Sequence, residues 1–123
     1  MADNIKIKWR AEPQDQHYPA AASYLSLIYG ELAVAKYIKR LRKASLSEFE
    51  AKDIFRASGL SLLGVSNAHV EQYRKKILSR QALSPLLLVR SARSDAVIIA
   101  DGYHRLCAVY SFDEYAVIPC KIA

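Results

Sequence analysis

The stretch Val97-Ile-Ile-Ala-Asp-Gly-Tyr-His-Arg-Leu-Cys-Ala-Val-Tyr110 predicts a strand, a turn and a helix in immediate succession. Its first four residues are apolar and mostly β-branched, which is typical of a buried strand. Asp101-Gly102 is a turn signal. Leu106, Cys107 and Tyr110 then recur at a spacing that suits one face of a short helix. The chain is therefore expected to pass from a buried strand into a helix through a glycine.

Such a junction favours the binding of an anion. The first turn of a helix has unpaired backbone N–H groups, which attract negative charge together with the helix dipole. Gly102 leaves room for a close approach, and His104 and Arg105 are two phosphate donors. Asp101 can hold Mg²⁺, take a proton from a hydroxyl or simply cap the helix. Tyr103 either stacks on a base or covers the pocket. The alternative for the whole motif is a purely structural one, in which a turn glycine is flanked by exposed polar residues.

Composition narrows the class of protein. A length of 123 residues suggests one domain, and a net charge of +6 with a pI near 9.4 favours anionic partners such as nucleotides or nucleic acid. No apolar run is long enough to cross a bilayer, and Met1–Asn4 lacks the pattern of a signal peptide. Cys107 and Cys120 lie in apolar stretches. A cytoplasmic location with reduced thiols is predicted, with a disulfide as the alternative.

Residues 1–44 are expected to form an N-terminal extension. Residues 4–10 alternate apolar and basic side chains, which predicts a short strand or, alternatively, a loose arm. Residues 20–43 contain no proline and predict one long amphipathic helix, loosened near Gly30. Its apolar stripe would comprise Leu25, Ile28, Leu32, Ala35 and Ile38. Its basic face (Lys36, Arg40, Lys43) is either a nucleic-acid contact or a solvated surface, and its apolar side could join two copies in a homodimer.

Residues 45–123 are expected to form the core of the same domain. The polar stretch Ser66-Asn67 is an N-cap signal for a helix that ends near Arg80, with Val70, Tyr73 and Ile77 facing inward. Residues 45–55 are ambiguous: Leu46, Phe49 and Phe55 could lie on a helix, but a short strand around Phe49–Ala51 followed by a turn through Asp53–Ser58 is favoured. The other predicted elements are an antiparallel hairpin of strands Pro85–Arg90 and Ala96–Ala100 and a last strand over Ala116–Ile122. Proline has no backbone N–H, so Pro119 in that last strand favours a position at the sheet edge or one where its nitrogen faces no partner strand.

The order of these elements, with Asp101-Gly-Tyr-His-Arg105 at its centre, resembles the ParB/sulfiredoxin superfamily, which includes the N-terminal domain of ParB partition proteins. The resemblance covers residues 45–123. It implies an α+β fold, with a small mixed sheet and short helices, in which the motif sits at a strand-to-helix turn and grips nucleotide phosphates. The long N-terminal helix is then an addition, since residues 1–44 have no counterpart in the family.

Three branches of this superfamily can be compared with the motif. Sulfiredoxins carry Gly-Cys-His-Arg, and Tyr103 stands where their reducing cysteine would be, which argues against sulfinic-acid reduction. Partition proteins carry Gly-Glu-Arg-Arg-x-Arg-Ala and bind CTP; Gly102, Arg105 and Ala108 match, whereas His104 and Cys107 replace arginines. ADP-dependent free serine kinases carry Asp-Gly-His-His-Arg, and only Tyr103 differs from that pattern.

The resemblance implies a nucleotide (ADP, ATP or CTP) with Mg²⁺, and phosphotransfer or nucleotide hydrolysis as the activity. Asp101 would hold the metal or act as base, while His104 and Arg105 would stabilise the transferring charge. Lys52, Asp53, Arg56 and His69 are expected to contact the nucleotide from neighbouring elements; alternatively, the first three form a solvated charge cluster and His69 is a surface residue. The competing functions are a DNA-associated or nuclease-like module related to partition proteins, and a non-catalytic interaction protein.

Overall fold

A computed structural model of the chain describes residues 5–64 and 66–123. Their fold is α+β, as predicted, with a four-stranded mixed sheet. The strands are β1 (Ser47–Glu50), β2 (Leu86–Arg90), β3 (Val97–Asp101) and β4 (Val117–Ile122). The helices are α1 (His17–Leu25), α2 (Glu31–Lys43), α3 (Ala51–Ser58), α4 (Ala68–Leu78) and α5 (Tyr103–Phe112).

The sheet has the strand order β1-β4-β2-β3. β2 and β3 form the predicted antiparallel hairpin, and β4 pairs antiparallel with β1 and parallel with β2. β4 is therefore an internal strand, and the edge position predicted for Pro119 is wrong. The sheet accommodates this proline because the parallel pairing with β2 begins only at Cys120, one residue later.

Helices cover both faces of the sheet. Alternate residues of β2 point to opposite sides, as the period of a strand requires. Leu86 and Leu88 pack with α3, α4 and α5, whereas Leu87 and Val89 pack with α1 and α2. All four leucine and valine side chains are buried. The N-terminal extension thus provides the second helical layer, which covers a sheet face that would otherwise be exposed.

The single long helix predicted over residues 20–43 is wrong, because the chain forms α1 and α2 with a break between them. A straight helix of that length would extend about 36 Å, and the break allows both halves to lie against one sheet face. In the break, the Ser26 hydroxyl donates to the Ser23 carbonyl, and Gly30 is extended. The predicted apolar stripe is confirmed in part: Leu25 is buried and Ile28 and Ile38 pack against the core, whereas Leu32 is 82% exposed. Val34 and Leu41, which are outside the predicted stripe, are buried.

The strand predicted over residues 4–10 is reduced to one isolated bridge, in which Trp9 pairs parallel with Leu83. The chain bends at Ala11 and Glu12, so this pairing cannot continue alongside β2. Asn4, the first residue of the predicted strand, lies outside the described residues. The segment is closer to the alternative of an arm, attached to the core at one point.

The turn predicted over Asp53–Ser58 is also wrong, because these residues belong to α3. Ala51 and Ile54 are buried at helical spacing, and Gly59 ends the helix with a left-handed φ of 68°.

The helix predicted to begin after Ser66-Asn67 is confirmed as α4. The Asn67 side chain accepts hydrogen bonds from the N–H groups of His69 and Val70, at 3.0 and 3.1 Å.

Both cysteines are free and buried, as expected for reduced thiols. Within the part of the chain that the structure describes, no helix combines the length and the apolar character that a membrane span requires.

Candidate functional site

The strand-to-helix junction has the predicted form. β3 ends at Asp101, Gly102 follows with a φ of 111°, and α5 begins at Tyr103. No side chain among the described residues caps α5, so the N–H groups of its first turn have no partner from a cap. A positive φ of this size is a conformation for which glycine is the default residue. The backbone geometry therefore explains the glycine without reference to a ligand.

The space beside Gly102 is already occupied. A Cβ atom at this position would lie 2.7 Å from Leu86 Cγ and 2.8 Å from Arg105 Nη2. Leu86 and the Arg105 guanidinium thus fill the space on this side of the glycine that a phosphate was expected to occupy. Any anion at the junction must therefore approach from the other side, where Tyr103 and His104 in the first turn of α5 are half-buried.

Arg105 is turned inward rather than toward solvent. Its side chain is 3% exposed, and Nη2 lies 2.9 Å from Asp101 Oδ2 and 3.4 Å from the Pro85 carbonyl oxygen. A guanidinium placed in this way holds the end of β3 and the start of α5 together. It is not presented to a ligand at the exposed face of the junction.

His17 completes this buried ionic group. Its Nδ1 lies 2.8 Å from the same Asp101 oxygen, and the carboxylate is 15% exposed. Burial alone would raise the pKa of the Asp101 carboxyl, but the hydrogen bond from His17 and the charge of Arg105 outweigh burial, so the pKa lies below its usual value. Sequence reasoning missed His17, because it lies on α1, in the part of the chain without a family counterpart.

These surroundings do not suit the metal role predicted for Asp101. One oxygen of the carboxylate, Oδ2, already accepts from a guanidinium and an imidazole, and the positive charge of Arg105 opposes a divalent cation. In residues 5–64 and 66–123, no group of three or more His, Cys, Asp or Glu side chains is placed to hold a metal ion. The low pKa also makes Asp101 a weak base at neutral pH.

Two imidazoles meet beside the first turn of α5. His104 lies on that turn and His69 on the first turn of α4, and their ring centroids are 4.9 Å apart. Burial, followed by the neighbouring His69, lowers the pKa of His104, so its imidazole is neutral at pH 7. The prediction that His69 faces the motif therefore agrees with this geometry, although its side chain is exposed.

A loop closes over the same turn. The Tyr103 hydroxyl donates to the Ser61 carbonyl, and the N–H of Leu63 donates to Cys107 Sγ at 3.5 Å. The Tyr103 ring lies 5.6 Å from the His104 ring, between centroids. Of the two roles considered for Tyr103, covering the pocket fits this arrangement better than stacking on a base.

The charged residues of α3 are not brought to this site. Lys52 Nζ lies 3.4 Å from Glu50 and 3.0 Å from Asp53, and Arg56 lies 3.7 Å from Asp53. The backbone N–H of Lys52 donates to the carbonyl of Glu114, which follows the C-terminal end of α5. Since α5 extends about 15 Å, Lys52 is at the opposite end of the helix from His104. The arrangement corresponds to the alternative of a solvated charge cluster.

Comparison of the chain with models of known protein families, with curated proteins and with solved structures finds no match. The resemblance to the ParB/sulfiredoxin superfamily accordingly rests on the motif and on the order of the elements.

Proposed function

We propose that the chain binds the phosphate of a nucleotide at the first turn of α5, beside the paired imidazoles of His69 and His104. The observation that carries this proposal is the pair of rings, 4.9 Å apart, beside a helix that has no side-chain cap among the described residues. Uncapped N–H groups and imidazole N–H groups are the donors that a phosphate oxygen accepts from. The positive end of the helix dipole adds to the attraction.

The other residues of the motif support this site without contacting the ligand. Gly102 supplies the turn, and the pair of Asp101 and Arg105 fixes the end of β3 against α5. Nucleotide binding is the part of the expected function that these residues favour. Phosphotransfer or hydrolysis would need a base, and the Asp101 carboxylate is poorly suited to that role because its pKa is low.

The test is a calorimetric titration of the full chain with ADP, ATP and CTP, with and without Mg²⁺. One of these nucleotides is expected to bind, and His104→Ala is expected to weaken its affinity about tenfold, the loss of roughly one hydrogen bond to a charged group. Gln72→Ala is the matched control, because Gln72 is exposed on α4 outside the imidazole pair. Failure of all three nucleotides to bind, or equal losses in the two variants, would contradict the proposal.

The affinity is also expected to depend on pH. The pKa of His104 is lowered in the free protein, whereas a bound phosphate favours the imidazolium, so binding takes up a proton. The affinity should therefore rise as the pH falls from 8 toward 6, by up to about tenfold per pH unit. The nucleotide's own phosphate titrates near pH 6, so the His104→Ala profile serves as the baseline. An identical pH profile in both proteins would exclude His104 as the proton acceptor.

A DNA-associated module is the second candidate, because α2 exposes a basic face. Lys36, Lys39, Arg40 and Lys43 are all exposed on this helix. A filter-binding assay with duplex DNA at two salt concentrations separates the two functions, since phosphate contacts make DNA binding fall steeply with salt.

The homodimer predicted through the N-terminal helix also stays a prediction. Leu27 and Leu32 are exposed in this part of the chain, and they are the side chains that a second copy would cover.

A further inference from the structure

A small polar cavity lies between the segment before α1, the middle of α4 and the loop before β2. Its volume is about 80 Å³, several times the roughly 10–15 Å³ that one water molecule requires. The polar side chains that line it are Gln14, Gln16, His17, Lys76, Ser84 and Arg105. It is distinct from the imidazole pair, since neither His69 nor His104 lines it. A cavity of this size and polarity suits a small polar group.

One donor in the cavity wall has no acceptor. Arg105 is 3% exposed, and its Nε–H, although buried, has no hydrogen-bond partner among residues 5–64 and 66–123. One terminal nitrogen of the guanidinium is occupied, since Nη2 donates to Asp101 and to the Pro85 carbonyl. An unpaired N–H of a buried charged group is costly, so it calls for an acceptor that the surrounding chain does not provide.

Two further donors converge on this cavity. Ser84 is buried, and its hydroxyl oxygen accepts from the Gln14 N–H at 3.0 Å, which leaves the hydroxyl proton free to donate. Lys76, which is exposed on α4, also lines the cavity and can turn its ammonium group toward it. Asp101 balances the charge of Arg105, so Lys76 leaves an excess of one positive charge. A single carboxylate group matches this charge, whereas a phosphate group carries about −1.5 to −2 at pH 7.

We propose that this cavity binds the carboxylate group of a small molecule, with oxygen atoms that accept from the Arg105 Nε–H, the Ser84 hydroxyl and the Lys76 ammonium. The ligand is held by a guanidinium whose position Asp101 already fixes, so its binding requires little reorganisation. The site is independent of the proposed nucleotide site, because the two share no ligand-contacting residue.

The experiment follows the Arg105 Nε–H signal in proton–nitrogen NMR spectra of the full chain. The signal is assigned by its loss in Arg105→Lys or, if that variant does not fold, by correlation with the assigned backbone of Arg105. Sodium acetate is titrated against sodium chloride at constant ionic strength. We expect a saturable shift with acetate and not with chloride, an apparent Kd raised at least about threefold in Lys76→Gln, and an unchanged Kd in His104→Ala.

Lys75→Gln is the matched control, since Lys75 is the exposed neighbour on α4 and does not line the cavity. A shift that does not saturate, or one that chloride reproduces, would mean that the cavity holds water only and would overturn the proposal. Saturation with inorganic phosphate but not with acetate would overturn the carboxylate assignment. Equal losses in Lys76→Gln and Lys75→Gln would show a general effect of charge and would likewise contradict a site here.

Discussion

Replacing Asp101 by alanine is expected to lower the free energy of unfolding by about 3–5 kcal/mol, the usual cost of removing one partner from a buried ion pair. The reason is the position of Arg105, which is 3% exposed and would retain its charge without a counterion. The same carboxylate accepts from His17, so the substitution also removes the hydrogen bond between the start of α1 and the end of β3. Urea denaturation followed by circular dichroism measures the loss.

Two variants make this result specific. Asp95→Ala removes an exposed carboxylate from the loop between β2 and β3 and should change the stability by less than about 0.5 kcal/mol. Asp101→Asn keeps an acceptor for one donor but loses the charge, so its loss of stability is expected to lie between those of Asp101→Ala and Asp95→Ala. If Asp101→Ala were no more destabilising than Asp95→Ala, the ionic group would have no role in holding the junction.

The destabilisation should also depend on pH with a defined sign. The pKa of Asp101 is lowered in the folded protein, so its contribution is complete above the ordinary carboxyl pKa, near 4, and is lost as the pH falls through the lower folded value. The difference between wild type and Asp101→Ala should therefore be constant near neutral pH and shrink in acid.

Local patterns in the sequence are sufficient to predict the secondary-structure elements around the motif. The β-branched run, the Asp101-Gly102 turn and the Asn67 cap each act within a few residues, and β3, α5 and α4 all form where these signals predict them. The α3 helix had a comparable signal that was misread. Ala51 and Ile54 are three residues apart, and Gly59 is a typical residue to end a helix.

Contacts between distant parts of the chain explain the failures. The break between α1 and α2 includes Gly30, where loosening of the helix is predicted, but the separation into two helices that cover one sheet face depends on distant contacts. The direction of the Arg105 side chain depends on such contacts as well. The motif shows a glycine, an imidazole and a guanidinium together, but the direction of the guanidinium is set by Asp101 and by the close packing of Leu86 against Gly102.

Gly102→Ala is expected to cost about 2–6 kcal/mol of stability in the absence of any nucleotide. The φ of 111° is strained for alanine, a cost of about 1–3 kcal/mol. In addition, the new Cβ would lie 2.7 Å from Leu86 Cγ, inside the core, and overpacking costs about 1–3 kcal/mol more. Thermal and urea denaturation of the unliganded protein measure the sum.

Gly59→Ala separates the two causes of this loss. Gly59 also has a positive φ, at 68°, but a Cβ there would meet no atom within 4 Å, so only a backbone cost of about 1–2 kcal/mol is expected. A loss at Gly102 that exceeds the loss at Gly59 by more than about 2 kcal/mol, the largest difference between the two backbone costs, would show that this glycine is required by Leu86 and Arg105 within the folded chain. Equal losses would mean that Leu86 and the guanidinium can move aside. The glycine would then serve only the turn, and the space beside it would be open to the phosphate that the motif first suggested.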